Sequence, residues 1–154
     1  MARVLIVGCG CRGQGLAREL VAAGHAVRGT TRDPASAEAI AAAGAEPYVG
    51  HPDRIATLMG ALTGTTILCW LMGTADAPQL HAGRLRMLFE KLVDTPVRGV
   101  VYEPAASRPE GGLEIARAAH ETWQIPLAVL GTEPADHEAW RVEAAAAVAE
   151  LLAG

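Results

Sequence analysis

The sequence predicts a three-layer α/β protein whose single domain, residues 1–154, is built on a doubly wound, six-stranded parallel sheet. Three observations predict it: an apolar run is followed by a glycine-rich turn and an amphipathic stretch, apolar and helical stretches then alternate along the chain, and the apolar runs lack polar alternation. Such runs are typical of parallel strands covered by helices on both faces. We expect right-handed crossovers and a strand order near 3-2-1-4-5-6.

The first unit, residues 3–32, carries the clearest motif. Gly8, Gly10 and Gly13 give the spacing G-x-G-x-x-G directly after the apolar run of residues 4–7. Gly8 allows a tight turn, Gly10 allows close approach of the main chain to a diphosphate, and Gly13 lets the next helix lie against the strand. The free N–H groups at that helix start favour an anion. The pattern predicts a Rossmann fold that binds a dinucleotide; a glycine-rich turn in a non-binding α/β domain is the alternative.

The later elements follow from hydrophobic patterning and from glycine and proline punctuation. We expect strands at residues 3–7, 26–30, 46–49, 66–71, 98–102 and 127–130. We expect helices at residues 13–23, 34–43, 53–62, 78–93, 112–123 and 135–152. Gly24 and Gly44 stand where a left-handed residue closes a helix, and prolines stand near four predicted helix starts, at Pro34, Pro52, Pro78 and Pro134.

Charge and composition exclude several classes of partner. The formal net charge is −4, with Lys91 the only lysine, which argues against nucleic acid and against a membrane surface. No apolar run approaches the roughly 20 residues that span a bilayer, and Met1 leads into a strand without a leader sequence. Three cysteines form no secretory disulfide framework. We therefore expect a soluble cytoplasmic protein whose partner is a small-molecule nucleotide.

The end of the second strand predicts which nucleotide binds. An acidic residue there usually holds the adenosine ribose in NAD-binding proteins. This chain has Thr30, Thr31 and Arg32 instead, and a guanidinium can bind a 2′-phosphate. The sequence therefore predicts NADP, with NAD second. Arg12 is expected to stack on adenine or to add a second contact to the 2′-phosphate.

Other positions complete the candidate cofactor site. Asp33 is either a ribose partner or a helix N-cap, and Arg32 is otherwise an ordinary solvated arginine. Gly73 and Thr74 follow the fourth strand, where the backbone is expected to form the floor beside the ribose and diphosphate. The candidate cofactor-binding residues are Gly8, Gly10, Cys11, Arg12, Gly13, Thr31, Arg32, Gly73 and Thr74.

Several stretches resemble a known family: residues 3–32, the segment GAEPYVGHPD at 44–53, the strand GVVYEP at 99–104, and residues 116–130. They are similar to the extended and atypical short-chain dehydrogenase/reductases, the NAD(P)-dependent epimerase/dehydratase and NAD(P)H-binding group. The resemblance extends along nearly all of the chain. It implies a Rossmann fold and an adenine-nucleotide cofactor.

The chain departs from that family at two places. The first two glycines are one residue closer together than the family pattern. The family's catalytic tyrosine, with a lysine four residues later, is missing: Tyr102 has Ala106 at that offset, Tyr48 has Pro52, and Lys91 precedes Tyr102. The catalytic residues are therefore unknown. Because hydride transfer belongs to the cofactor, a flavin- or quinone-type reductase that needs no protein acid stays open.

The remaining polar groups allow alternatives. Tyr102 and Ser107 are the only candidates for chemistry, unless Tyr102 is buried in the sheet and Ser107 caps a turn. Cys9 and Cys11 are packing and loop residues or a reactive pair at a helix start, and histidine and cysteine spacing predicts no metal site. Three functions stay open: an oxidoreductase acting on a small acceptor, a non-catalytic nucleotide sensor or regulatory module, and an assembly module that dimerises through residues 139–152.

Overall fold

Six parallel strands form one sheet in the order β3-β2-β1-β4-β5-β6. The computed structural model describes residues 2–154. The strands are β1 (Arg3–Val7), β2 (Ala26–Thr31), β3 (Glu46–Val49), β4 (Ile67–Trp70), β5 (Gly99–Tyr102) and β6 (Leu127–Val129). The predicted strand order and the doubly wound α/β architecture are confirmed, and each strand lies within two residues of its expected bounds.

Strand β1 lies at the centre of the sheet. Ile6 pairs with Gly29 of β2 on one side and with Cys69 of β4 on the other. The chain winds towards β3 from one edge of β1 and towards β6 from the other. Connections that leave β1 and β4 in opposite directions open a crevice at the carboxyl ends of these two strands.

Within residues 2–154, five α-helices and three 3₁₀ segments accompany the strands, and all of them except α5, which follows β6, lie between strands. The α-helices are α1 (Cys11–Ala22), α2 (Ala37–Ala42), α3 (Gly83–Leu92), α4 (Pro109–Trp123) and α5 (His137–Ala153). The 3₁₀ segments are Pro34–Ser36, Ile55–Leu62 and Pro78–His81. The helix expected at 53–62 is thus a 3₁₀ helix. In that region the Thr57 hydroxyl donates to the Arg54 carbonyl oxygen, a local bond of the kind that competes with regular α-helical pairing.

The connections cover both faces of the sheet. Val4 and Ile6 pack with α1, α2 and α5, whereas Leu5 and Val7 pack with the segment Ile55–Leu62 and with α3 and α4. All four of these β1 residues are fully buried. Burial on both faces explains why the strand has no polar alternation.

Helix α5 uses its small residues for packing within the chain. Trp140, Ala144, Ala147 and Val148 are buried in the cluster that α5 shares with α1 and the sheet. Val142 is the large apolar side chain that α5 leaves exposed. Among the helices of residues 2–154, none has both the length and the apolar character required to cross a membrane.

Candidate cofactor-binding crevice

The glycine-rich turn joins β1 to α1 at the mouth of the crevice. Gly8 has φ +93°, and a Cβ there would lie 2.6 Å from the Leu71 carbonyl oxygen and 2.8 Å from the Met72 sulfur. Only glycine fits both the backbone angle and the space. A Cβ on Gly10, by contrast, would meet nothing within 4 Å. The turn therefore presses against the end of β4 at Gly8 and leaves open space at Gly10.

Gly13 brings α1 close to the sheet. A Cβ at this position would lie 2.9 Å from the Gly8 carbonyl oxygen and 3.3 Å from Cγ2 of Ile6. This close packing is what the sequence predicts for the third glycine. Gly8, Gly10 and Gly13 thus have the geometry expected of them, while their contact with a nucleotide stays a prediction.

The N-terminus of α1 carries backbone donors without partners. Gly10 is the N-cap and offers no side chain to the first turn. The N–H groups of Cys11, Arg12 and Gly13 find no acceptor within residues 2–154, whereas the Gln14 N–H donates to the Gly10 carbonyl oxygen. Three free amides at the positive end of a helix form an anion-binding site.

The crevice has two halves that meet over the glycine turn, because Gly8, Gly10, Met72 and Ala75 line both. The β2-side half has a volume of about 630 Å³ and is lined further by residues that include Thr30, Thr31, Arg32, Ser36, His51 and Asp53. The β5-side half has a volume of about 720 Å³ and is lined further by residues that include Cys11, Arg12, Gly13, Thr74, Ala106, Glu133, His137 and Trp140.

In the β2-side half, Arg32 is the cation at the end of β2. It is exposed and makes no hydrogen bond or ion pair within the described part of the chain. Asp33 does not line the crevice: its carboxylate accepts the Ala35 N–H at 3.0 Å and caps the 3₁₀ segment Pro34–Ser36. Of the two alternatives for Asp33, the structure shows the N-cap. The Thr31 hydroxyl accepts the Asp33 N–H at 3.1 Å and steadies the same turn.

Further polar residues line this half, among them His51, Asp53 and the exposed Asp76. His51 accepts the Asp53 N–H through Nδ1 at 3.1 Å, so this nitrogen carries no proton. Asp53 is paired with Arg84, whose Nε lies 3.0 Å from its carboxylate. The carboxylate of Asp53 is therefore neutralised, while the charge of Arg32 is not.

Arg12 points into the β5-side half, away from the end of β2. Its guanidinium forms two hydrogen bonds with the Glu103 carboxylate and lies 4.4 Å from the centre of the Trp140 ring. The Arg12 side chain therefore points away from the position expected for adenine and the 2′-phosphate, and its contact with the cofactor stays a prediction. A carboxylate on the β5 side attracts the guanidinium more strongly than open solvent does.

Glu103 follows β5 and is buried. Besides the Arg12 guanidinium, its carboxylate accepts the Gly73 N–H at 2.8 Å and the Trp140 Nε1–H at 2.7 Å. One carboxylate thus joins the glycine turn, the end of β4 and helix α5. We call Arg12, Gly73, Glu103 and Trp140 the Glu103 network.

Gly73 and Thr74 differ in their relation to the crevice. Gly73 is buried, its N–H donates to Glu103, and its carbonyl oxygen accepts the Ala106 N–H at 3.0 Å. It does not line either half of the crevice. Thr74 is exposed and does line the β5-side half. Gly73 therefore supports the floor, and Thr74 belongs to its surface.

Tyr102 faces the opposite side of the sheet and is fully buried. Its hydroxyl lies 2.6 Å from Nδ1 of His81. Burial, and secondarily the charge of Glu103, raise the pKa of Tyr102 above its usual value. Ser107 is exposed and lines neither half of the crevice. Of the two alternatives for Tyr102, the structure shows burial in the sheet, because alternation along β5 turns the side chain towards α3 and α4. A chemical role for Ser107 stays a prediction.

The three thiols differ in exposure. Cys9 and Cys69 are buried, and burial raises the pKa of Cys9 to about 11 and that of Cys69 to about 12. Cys11 is exposed and lines the β5-side half. Cys9 and Cys69 are packing residues, as their apolar neighbours in the sequence indicate.

Glu103, Trp140 and His81 belong to this region, and sequence reasoning gave them no role. One signal was present for Glu103: it follows four apolar strand residues directly, at the sheet edge where parallel strands place their ligands. For Trp140 and His81 the sequence offers no comparable signal, since each lies on a helical segment far from its partner along the chain.

Strand order, the glycine turn and the crevice at the β1–β4 switch point decide the architecture. This is a Rossmann fold. A family model described as "NADP oxidoreductase coenzyme F420-dependent" matches residues 3–58, which include β1, α1, β2, α2 and β3. No curated protein sequence matches the chain.

Solved structures match over a longer stretch. Triphenylmethane reductase from Citrobacter sp., complexed with NADP(H), aligns at a TM-score of 0.66 and 19% identity, covering 82% of this chain and 48% of the reductase. An NAD-bound short-chain dehydrogenase/reductase superfamily protein from Agrobacterium tumefaciens aligns at a TM-score of 0.65 and 19% identity, covering 82% and 48%. The NADPH-dependent quinone oxidoreductase QOR2 from Escherichia coli aligns at a TM-score of 0.59 and 20% identity, covering 82% and 46%.

These likenesses concern the fold. The chain spans about half the length of the solved structures described above. The resemblance to short-chain dehydrogenase/reductases is confirmed as a shared Rossmann architecture at low sequence identity.

Proposed function

We propose that this crevice binds NADP(H), with NAD(H) as the weaker ligand, and that the protein is an oxidoreductase of the NADP(H)-dependent kind. The observation that carries the proposal is the set of three free amides, at Cys11, Arg12 and Gly13, beside the open space at Gly10. The diphosphate would lie at these amides, where the helix dipole and the N–H groups both favour negative charge.

The choice of NADP(H) over NAD(H) rests on Arg32. Its guanidinium has no acceptor within residues 2–154 and borders the β2-side half. The neighbouring Asp33 carboxylate does not face this half, because it caps the 3₁₀ segment Pro34–Ser36. A guanidinium without a partner stabilises a 2′-phosphate by charge-assisted hydrogen bonds. The matching family description, the NADP(H)-complexed triphenylmethane reductase and the NADPH-dependent quinone oxidoreductase support the same choice.

In this proposal the nicotinamide supplies the hydride, and the residues of the chain bind and orient the cofactor. The adenosine half lies in the β2-side half, and the nicotinamide half lies in the β5-side half against Arg12 and Thr74. The titratable side chains bordering the β5-side half beyond the turn, Glu133 and His137, are both exposed. A proton for the reduced acceptor therefore comes from the solvent side, which suits a quinone- or flavin-type acceptor.

A second candidate is a nucleotide sensor or regulatory module without turnover. The observation that favours it is the burial of Tyr102 against His81, together with the absence of a tyrosine–lysine pair from the sequence. The two functions differ in one measurable respect. The oxidoreductase consumes NADPH when a quinone or flavin acceptor is added, whereas the sensor binds NADPH and leaves it unchanged.

Calorimetric titration with NADPH, NADP⁺, NADH and NAD⁺ tests the cofactor proposal. We expect tighter binding of the two phosphorylated cofactors, and an approximately tenfold loss of that preference in Arg32→Ala, equivalent to about 1.4 kcal/mol. Arg18→Ala is the matched control, because Arg18 is an exposed arginine on α1 that lines neither half of the crevice. Equal affinity for phosphorylated and unphosphorylated cofactors contradicts NADP selectivity, and no binding of any of the four contradicts the function itself.

Two further proposals concern partners and location. A homodimer would use the exposed face of α5, which carries Val142, Ala146 and Ala149. A mass measurement in solution at high protein concentration tests it, and a strict monomer contradicts it. We also propose a reducing, cytoplasmic environment, because all three cysteines are free thiols.

A further inference from the structure

We propose that Glu103 is a positioning residue for the nicotinamide half of the cofactor and acts through Arg12 and Gly73. This inference rests on the NADP(H) binding proposed above. It concerns the β5-side half alone, because no member of the Glu103 network lines the β2-side half.

The Glu103 carboxylate is surrounded by donors from three segments. Arg12 donates to it from the glycine turn, Gly73 donates from the loop after β4, and Trp140 donates from helix α5. The side chain of Glu103 is 4% exposed and that of Arg12 is 14% exposed. Each carboxylate oxygen accepts two hydrogen bonds: Oε1 from Arg12 and Gly73, and Oε2 from Arg12 and Trp140.

Stability alone is a weak reason for such an arrangement. Replacing a buried ion pair by well-packed apolar side chains is often neutral or stabilising, because desolvation offsets the attraction between the charges. A bidentate arginine–carboxylate pair does supply a fixed direction for the guanidinium. Fixed geometry is what a binding site requires of the residues behind its surface.

The residues that Glu103 fixes are those that border the proposed nicotinamide position. Arg12 belongs to the first turn of α1, and its own N–H is one of the three free amides. Its guanidinium lies on the Trp140 ring and forms part of the crevice wall instead of extending into the crevice. Gly73 precedes Thr74, whose hydroxyl is 3.4 Å from the Arg12 guanidinium.

Gly73 shows how closely the carboxylate is held. A Cβ on Gly73 would lie 2.6 Å from Cδ of Glu103 and 2.6 Å from the Pro104 carbonyl oxygen. A shift of the Glu103 carboxylate would therefore move Gly73 and, with it, the floor of the β5-side half. Without the carboxylate, the Arg12 side chain loses its two strongest bonds and the Gly73 N–H loses its acceptor.

Binding of two ligands distinguishes effects on the two halves of the crevice. NADPH extends across both halves, whereas adenosine 2′,5′-bisphosphate carries the adenosine groups proposed for the β2-side half and one phosphate of the diphosphate, and lacks the nicotinamide half. For Glu103→Gln, which keeps the shape and removes the charge, we expect about tenfold weaker NADPH binding, because the Arg12 guanidinium loses the charge-assisted bidentate pair that fixes its direction. Binding of the bisphosphate should change less than about twofold in the same variant.

Glu46→Gln is the matched control. It also removes a carboxylate from an arginine pair, since Glu46 lies 3.3 Å from Arg28, but neither residue lines the crevice. We expect unchanged binding of both ligands. Arg12→Lys is the second variant if Glu103→Gln does not fold. It keeps the charge and loses the bidentate geometry, and it should weaken the binding of NADPH more than that of the bisphosphate.

The outcomes distinguish this inference from the proposed function. A role in stability alone predicts that both ligands bind the folded variants as they bind the wild type, or weaken equally, and either result overturns the positioning role while cofactor binding stands. If the wild-type protein binds neither ligand, the proposed function fails and the inference fails with it. Selective loss of NADPH affinity in Glu103→Gln or Arg12→Lys supports both.

Discussion

The hydroxyl of Tyr102 lies 2.6 Å from Nδ1 of His81 in the apolar layer between the sheet and helices α3 and α4. Nε2 of the same imidazole lies 2.9 Å from the Met72 carbonyl oxygen. Because a carbonyl oxygen only accepts, Nε2 carries a proton, and in the neutral imidazole Nδ1 then accepts the Tyr102 hydroxyl hydrogen. The pair connects β5 to the loop after β4, and the tyrosine is closed off from the crevice.

Tyr102→Phe should therefore destabilise the protein without affecting the cofactor. Nδ1 of His81 would be left buried without a donor, at a cost of about 1–3 kcal/mol in the free energy of unfolding. NADPH affinity should not change. Urea unfolding and calorimetry measure the two quantities. Tyr48→Phe is the control: the Tyr48 hydroxyl makes no hydrogen bond in the described residues, so its loss should cost less than about 0.5 kcal/mol. Loss of NADPH binding in Tyr102→Phe contradicts a purely structural role.

Gly10→Ala and Gly8→Ala should separate binding from folding. Gly10 has φ −84° and open space, so alanine fits and stability should change by less than about 0.5 kcal/mol. The added methyl group occupies the proposed diphosphate position, and NADPH affinity should fall at least about tenfold. Gly8→Ala should lose stability by about 1–3 kcal/mol, because φ is +93° and the Leu71 carbonyl oxygen blocks the methyl group. Thermal unfolding and titration of both variants check this, and full NADPH affinity in Gly10→Ala places the diphosphate elsewhere.

The exposed thiol of Cys11 offers a chemical probe of the same region. We expect Ellman's reagent to modify Cys11 in the native protein and to leave Cys9 and Cys69 unmodified, because burial keeps both as thiols. Saturating NADPH should slow the reaction, since Cys11 carries one of the free amides. Cys11→Ser should abolish the fast reaction. A modification rate that NADPH does not alter argues against a diphosphate at this helix start.

Stability should fall in alkaline solution. Burial raises the pKa of Cys9 from 9.0 to about 11, so the folded state binds its proton more tightly than the unfolded chain does. Below about pH 9 the Cys9 thiol is protonated in both states, and the free energy of unfolding does not change. Above about pH 9 unfolding releases the thiol proton, and the free energy of unfolding decreases by up to about 1.4 kcal/mol per pH unit. Cys69, whose pKa is raised from 9.0 to about 12, acts in the same direction from the same pH upwards, and Tyr102, whose usual pKa is 10.0 and is also raised, adds to the loss above about pH 10. Urea unfolding between about pH 8 and pH 11 should show a shallower decline for Cys9→Ala than for the wild type.

Much of the fold could be predicted because its signals are local. The unbroken apolar runs of β1 and β4 indicate strands buried on both faces, and Gly8 and Gly13 indicate a tight strand-to-helix turn. Strand order follows from the handedness of the crossovers once the βα alternation is known. The side chains at the end of β2, including Arg32, could be placed in the crevice for the same reason.

The direction of Arg12 could not be predicted from the sequence. Its position in the glycine turn allows the side chain to reach either half of the crevice. The choice depends on Glu103, which lies 91 residues later in the chain and reaches Arg12 only because β4 lies between β1 and β5 in the sheet.

The sequence by itself determined the architecture, the glycine turn and the charge at the end of β2, because backbone sterics and hydrophobic periodicity act over a few residues. Only the tertiary structure decided that Arg12 pairs with Glu103 and that Tyr102 is closed off by His81. Side-chain partners from distant segments are chosen by how strands and helices pack, and a buried charge or hydroxyl bonds to whichever partner that packing brings within reach.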